Sequence, residues 1–170
     1  MDKGMKKRWI SLYVENRVGV LARIAGLFSG KSYNLKSLTV GTTEDETVSR
    51  MTIAVTSDDA TFEQIKKQLN RSVEVIKVMD YTAVPIRMKE VLFIKVKGCS
   101  LQEKNEIFQM ADVFRFRVVD YGKDNVLIES LHTEGKNDNI INFFNDKFSG
   151  RIEVVRGGGV AIESISIVER

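Results

Sequence analysis

The feature that most constrains this chain is a change of hydrophobic period that occurs in the same order twice. From Trp9 to Glu15 apolar residues alternate, with Ile10, Leu12 and Val14 on one face, the pattern of a half-buried strand. Val20, Leu21, Ile24, Ala25, Leu27 and Phe28 then recur at helical spacing, and Gly30 stands where a helix would stop. Two extended segments follow, Asn34 to Gly41 and Val48 to Thr56, around the polar turn Thr43-Glu44-Asp45-Glu46. Ser57-Asp58-Asp59 is a helix N-cap signal ahead of the stripe Phe62, Ile65 and Leu69, and Val73 to Met79 closes the unit as a strand. The order β-α-β-β-α-β predicts a split βαβ arrangement, with two helices on one face of an antiparallel sheet.

A bridge from Tyr81 to Lys89 carries the only proline, Pro85, and the order then repeats. Val91 to Val96 reads as a strand, and Ile107, Met110, Ala111 and Phe114 as a helix. Val118 to Asp120 and Val126 to Leu131 bracket a turn at Gly122 to Asn125. Ile140, Ile141, Phe144 and Phe148 mark a second helix, and Ile152 to Val155 a last strand. The expected fold class is therefore α+β, two tandem βαββαβ ferredoxin-like domains over 1–80 and 90–170 with a linker over 81–89. A length of 170 residues suits two such domains of about 80 each. Gly157-Gly158-Gly159 has no Lys-Ser/Thr after it and opens no helix, so it is read as a flexible turn rather than a phosphate loop. Val160 to Ile162 and Ile165 to Val168 are expected to form a short extra strand or a docking tail.

Composition narrows the function classes. With 43% apolar and 29% charged residues the chain is of ordinary soluble globular type, and its net charge of +3 is spread among interspersed acids and bases. The basic run Lys3 to Arg8 reads as a solvated terminus. No signal peptide or stretch of about 18 apolar residues is seen, so neither secretion nor a membrane partner is expected. Cys99 is alone, which excludes an internal disulfide and fits a reducing cytoplasm. Its place between Gly98 and Ser100 reads as a strand-to-helix turn and a structural thiol.

The inventory for catalysis is poor. One histidine, His132, builds neither a zinc site nor a triad, so no metal or catalytic residue is assigned. Carboxylates fall on polar helix faces, as Glu63 and Glu103 do, or in the turn Glu44 to Glu46, and nothing singles out an acid/base pair. The split βαβ fold also serves RNA binding, but the Lys/Arg-Gly-aromatic signature is absent and no aromatic lies between Val48 and Thr56, so no nucleic-acid partner is expected.

Against this background the junction Glu15-Asn16-Arg17-Val18-Gly19-Val20 stands out. A helix start offers unpaired N–H groups and a positive dipole end, which can hold a small carboxylate. Asn16 can donate and accept, and Gly19 lets the backbone approach a ligand. Asn34 opens the next strand, which by topology lies at a sheet edge, and an exposed edge invites pairing with a second copy. In such a dimer the corner of one chain meets the edge of the other. The plainer reading is a turn at Asn16 to Gly19 and a loop residue at Asn34. The second half has Lys97-Gly98-Cys99-Ser100 at the matching point and lacks the Asn-x-x-Gly corner.

At these residues the chain resembles the regulatory (small) subunit of acetohydroxyacid synthase, also called acetolactate synthase, a family with an ACT domain. The resemblance lies in Glu15-Asn16-x-x-Gly19-Val20-Leu21-x-Arg23, Gly26-Leu27-Phe28-Ser29, Tyr33-Asn34-Leu35-x-Ser37-Leu38-Thr39-Val40 and Ser49-Arg50-Met51-Thr52-Ile53. It is dense from Arg8 to Asp80 and looser beyond. It implies that the first domain is an ACT domain and that the chain is not an enzyme. It further implies binding to the thiamine-diphosphate-dependent catalytic (large) subunit, activation of it, and feedback inhibition by a branched-chain amino acid, usually valine. The effector would sit between two ACT domains of a homodimer or higher oligomer, held by Asn16, Arg17, Val18, Gly19 and Val20 of one chain and by Asn34 and Leu35 of the other. Thiamine diphosphate, Mg and FAD would belong to the catalytic partner, with no cofactor in this chain. A stand-alone tandem-ACT sensor, acting on another enzyme or on transcription, is the alternative.

Overall fold

The computed structural model describes residues 4–30 and 33–165. The elements run β1 (Lys6–Glu15), α1 (Val20–Gly30), β2 (Asn34–Thr42), β3 (Val48–Ser57), α2 (Asp59–Asn70) and β4 (Val75–Asp80). They continue as β5 (Ile86–Val96), α3 (Leu101–Phe114), β6 (Arg117–Tyr121), β7 (Val126–His132), α4 (Glu134–Lys147) and β8 (Ile152–Glu163). Two four-stranded sheets result, ordered β2-β3-β1-β4 and β6-β7-β5-β8. The tandem βαββαβ pattern read from the periodicity is the pattern observed. Backbone contacts divide the described residues into one unit up to Arg87 joined by Gly159 to Ile165, and a second from Met88 to Gly158.

In the first unit β1 pairs antiparallel with β3 in the register Ile10↔Ile53, Leu12↔Met51 and Glu15↔Val48. Alternation therefore sends Ile10, Leu12, Val14, Met51, Ile53 and Val55 to one face, where Val20, Ile24 and Phe28 of α1 and Phe62, Ile65 and Leu69 of α2 cover them. α2 starts as its sequence predicts, with Asp58 accepting from the Thr61 backbone N–H at 2.7 Å. Arg8 sits on this inner face and is 6% exposed. Its guanidinium bonds Asp59 and lies over the Phe62 ring, so a cation is held at the rim of an apolar core by one carboxylate and one ring face.

The second unit repeats the layering. Leu92, Ile94, Val96, Val126 and Ile128 from the sheet meet Ile107, Ile140, Phe144 and Phe148 from the helices. Cys99 is buried at the strand-to-helix turn as expected, its thiol donating weakly to the Val96 carbonyl, and burial pushes the thiol pKa up. His132 ends β7, with Nε2 3.1 Å from the carbonyl oxygens of Phe114 and Arg115.

Among the boundaries that differ from the periodicity, three have a physical reason. Val73 is 91% exposed in a turn, and β4 begins only at Val75. β5 begins at Ile86, ahead of the expected Val91, because its inward set includes Glu90, an acid that breaks the apolar pattern. Glu90 is 4% exposed and is matched by Arg156 through two hydrogen bonds of 2.9 and 2.8 Å. The three glycines are strand, not turn. β8 runs from Ile152 to Glu163, with Gly157 packed beside Val91 of β5 and Gly158 at a left-handed φ of 76° that favours glycine. Val160 to Ile162 thus finish a strand that belongs to the second unit up to Gly158 and to the first beyond it. Lys3 of the basic run and Ser166 to Val168 of the tail fall outside the described residues.

Candidate functional site

β1 ends where Glu15 N–H donates to the Glu74 carbonyl and Asn16 N–H to the Thr47 carbonyl, at 2.9 and 2.7 Å. Arg17 N–H turns back onto the Glu15 carbonyl at 3.0 Å, and the chain then reverses into α1 through Gly19 at a φ of 88°. That left-handed angle disfavours any residue with a Cβ, which is the physical reason for glycine at this point. The Val18 and Gly19 N–H groups make no hydrogen bond among the described residues. The first turn of α1 also carries no acidic residue. The corner therefore presents free donors and the positive end of a helix dipole.

The side chains around it are largely paired. Asn16 Nδ2 donates to the Glu46 carbonyl at 2.8 Å, which orients the amide and leaves its oxygen available. Arg17 is 3.3 Å from Glu15, and Arg23 is bonded to Glu74. Glu46 and Thr47 come from the β2–β3 turn, where Asp45 accepts from both the N–H and the hydroxyl of Thr47 at 2.9 and 2.6 Å. Those bonds hold the Asp45 carboxyl below the usual carboxylate range, the hydroxyl bond first. An open groove of about 510 Å³ lies between these parts, lined by Glu15, Asn16, Arg17, Glu46, Thr47 and Val48, with Ile76 beside them.

The structure gathers Asn16, Arg17, Val18, Gly19 and Val20 at one corner. Val20 is 4% exposed and joins the core beneath the corner, whereas Val18 is fully exposed and Leu21 is 45% exposed. Apolar surface near the free N–H groups is therefore that of Val18 and Leu21 rather than Val20. Asn34 and Leu35 lie elsewhere in the same chain. Asn34 pairs with Thr56 and Thr42 with Ser49, so Asn34 stands at the opposite end of the sheet from the corner, roughly 25 Å along the strands. Asn34 is exposed on the edge strand β2, while Leu35 packs on the core. The Glu46-Thr47 turn is a part of the corner that the periodicity alone misses; its one sequence signal is the Asp45-x-Thr47 spacing of a side-chain-closed turn.

The matching corner in the second unit is closed by its own residues. Gly98 has a φ of 64°, but its carbonyl accepts from Arg151 at 2.8 Å, Cys99 N–H donates to Asp124, and Ser100 and Glu103 form a reciprocal capping box. Glu103 bonds Arg151 at 2.6 Å, and this with the Ser100 backbone bond lowers its pKa to about 2. No group of three or more His, Cys, Asp or Glu that could hold a metal is found among the described residues. No helix among them is long and apolar enough to cross a membrane.

The first half, a βαββαβ unit that enters its first helix through an Asn-x-x-Gly corner, is an ACT-type domain by the family it matches. Residues 10–77 match the family described as the AHAS small subunit-like ACT domain, and residues 89–165 match that of the small subunit of acetolactate synthase. The chain is 40% identical over 93% of its length to the acetolactate synthase small subunit of Aquifex aeolicus, covering 81% of that protein. It is 41% identical over 92% of its length to the probable acetolactate synthase small subunit of Archaeoglobus fulgidus, covering 96%. The crystal structure of the acetolactate synthase small subunit from Thermotoga maritima superposes with a TM-score of 0.84 at 33% identity, over 95% of this chain and 99% of that one. The chain belongs to the family of acetolactate synthase small subunits, and is thus a non-catalytic subunit.

Proposed function

We propose that this chain regulates an acetolactate synthase by binding its catalytic (large) subunit, raising its activity, and making it sensitive to a branched-chain amino acid, with valine the expected effector. The single observation that supports the effector site is the opposed placement of Asn16 and Asn34 on a sheet whose edge strand β2 has no second partner strand among the described residues. If two copies pair antiparallel along β2, Asn34 of each comes to the sheet end that holds the Asn16 corner of the other. The free N–H groups of Val18 and Gly19 then face a carboxylate, and the amide oxygens of Asn16 and Asn34 accept from an ammonium group. Val18 and Leu21 offer apolar cover to a short side chain, whose burial is worth roughly 1.5–3 kcal/mol. An extra methylene, as in isoleucine, changes binding by only about 1–3 kcal/mol.

The effector acts to the extent that it binds the two states of the assembly differently, typically ~1–3 kcal/mol. Thiamine diphosphate, Mg and FAD are assigned to the catalytic partner. The closed corner of the second unit speaks for one effector site per chain, and so against a tandem sensor with a ligand in each half.

The test is acetolactate formation by the cognate catalytic subunit with and without this chain, and with and without valine. The expected result is stimulation that valine reverses, and an Asn34→Lys chain that still stimulates but no longer responds to valine. Stimulation without any valine effect would remove the assigned effector. Inhibition unchanged in Asn34→Lys would remove the assigned site. Absence of stimulation would return the chain to the stand-alone sensor.

A further inference from the structure

On the face of the first sheet opposite its helices, Arg50 carries a charge that no carboxylate among the described residues answers. The strand register places it across from Tyr13 on β1 and Gly41 on β2. Its Nε donates to Ser11 Oγ at 3.0 Å, its Nη2 to the Tyr81 hydroxyl at 2.5 Å, and its guanidinium lies 5.1 Å from the Tyr13 ring centre. Ser11 and Tyr81 are 0% and 2% exposed, so the partners that aim the guanidinium are fixed and neutral. Its Nη1 has no partner among the described residues. Neutral dipoles and a ring face lower the cost of taking a cation out of water, but only an anion cancels the charge.

The space in front of this group is built rather than incidental. Gly41 faces Arg50 without a side chain, and a Cβ placed there meets nothing within 4 Å. A cavity of about 380 Å³ results, with Val160, Ala161 and Ile162 of β8 as its far wall. That wall is held to the sheet by Thr39 Oγ1 donating to the Gly159 carbonyl at 2.9 Å and Ala161 N–H donating to Thr52 Oγ1 at 3.4 Å. A further bond joins Ser164 N–H to the Pro85 carbonyl at 2.9 Å. Thr52 is 5% exposed, and its hydroxyl proton is not used by any described residue. The lining combines one guanidinium, hydroxyls and aliphatic side chains, and contains no acidic residue.

This chemistry selects a carboxylate head with a short apolar body. It also selects against an ammonium group, which would lie beside a guanidinium in a partly desolvated space with no carboxylate to pair it. We propose that the Arg50 cavity is a second small-molecule site, sharing no lining residue with the Asn16 groove, that takes a short aliphatic 2-oxo or 2-hydroxy carboxylate. Binding there clamps the end of β8 against β2 and β3.

The probe is 2-oxoisovalerate, with valine as the control of the same carbon skeleton that differs by its ammonium group. Calorimetric titration of the full chain, with amide NMR shifts at Gly41 and Thr52, is expected to show saturable binding of the oxo acid that valine does not displace. Arg50→Gln is expected to weaken it at least tenfold, by removing the only cation of the lining. Gly41→Leu is expected to do the same by filling the cavity, and because Gly41 does not have a positive φ that change adds no backbone strain. Thermal melts identify any variant that fails to fold, and Gly41→Leu decides if Arg50→Gln does not fold. Absence of saturation by about 10 mM would overturn the proposal, since even weak specific sites fall in the millimolar range. So would unchanged affinity in a folded variant, or one-for-one displacement by valine.

Discussion

Gly19 shows how a single residue serves backbone and site together. Its φ of 88° is a conformation in which an L side chain crowds its own backbone, yet nothing beyond its immediate chain neighbours lies within 4 Å of a Cβ built there. The constraint is therefore conformational and not steric packing. Gly19→Ala is expected to cost about 1–2 kcal/mol of stability and to turn the Val18 and Gly19 N–H groups away from the groove. Denaturant unfolding reads the first effect, and a loss of valine response at full stimulation of the catalytic subunit reads the second. Asn16 was legible in the sequence as a polar residue at a strand end. That its amide is steered by the Glu46 carbonyl was not, since that contact joins positions 30 residues apart and depends on the β1–β3 register.

At the scale of the element, the two helix starts that occupy equivalent places in the two units differ in how their N–H groups are met. α3 begins with Ser100 and Glu103 capping each other and with Arg151 paired to Glu103, whereas the first turn of α1 has no acidic residue. Glu103 titrates at about 2 in the folded chain, held down first by the Arg151 hydrogen bond, against about 4.3 when unfolded. A lowered folded pKa stabilises the fold fully above the unfolded value and loses that contribution as pH falls through the folded one. The melting temperature is thus expected to fall from about pH 4.5 toward pH 2, and Glu103→Gln to lower it at neutral pH while flattening this part of the acid decline. A mutant with the parent's full acid slope would remove Glu103 from that role. β8 carries the other lesson at this scale. Three consecutive glycines read locally as a turn, because glycine weakens a strand by its entropy. They lie within β8 here because β5 runs beside them, because Gly158 takes a left-handed φ of 76° that favours glycine, and because Arg156, just before them, is fixed to the buried Glu90.

For the whole molecule, the physical unit is a sheet face covered by two helices, made twice, each with its own closed core. Phe28 and Phe144 are both essentially fully buried, one in each core. Replacing either by Ala is expected to cost about 3–5 kcal/mol locally. Because the two core clusters of the described residues share no side chain, hydrogen exchange is expected to show Phe28→Ala exposing amides of β1, β3 and α1 while those of β5 and β7 keep their protection. Uniform loss of protection in both units would show that they unfold as one.

The sequence by itself determined the order of elements, the helix N-cap at Asp58, the inward faces of the strands and the placement of an Asn-x-x-Gly corner before α1. All of these follow from spacings of two to four residues, which chain geometry enforces wherever the segment folds. The tertiary structure alone decided that Asn34 stands at the far end of the sheet from Asn16. It decided that Val20 fills the core while Val18 and Leu21 face out, that Glu90 is buried against Arg156, and that the end of β8 lies over Arg50 to make a cavity. Those are consequences of strand register and of pairings dozens of residues apart, and no local pattern carries them, because the energy that selects them exists only once the sheets have formed.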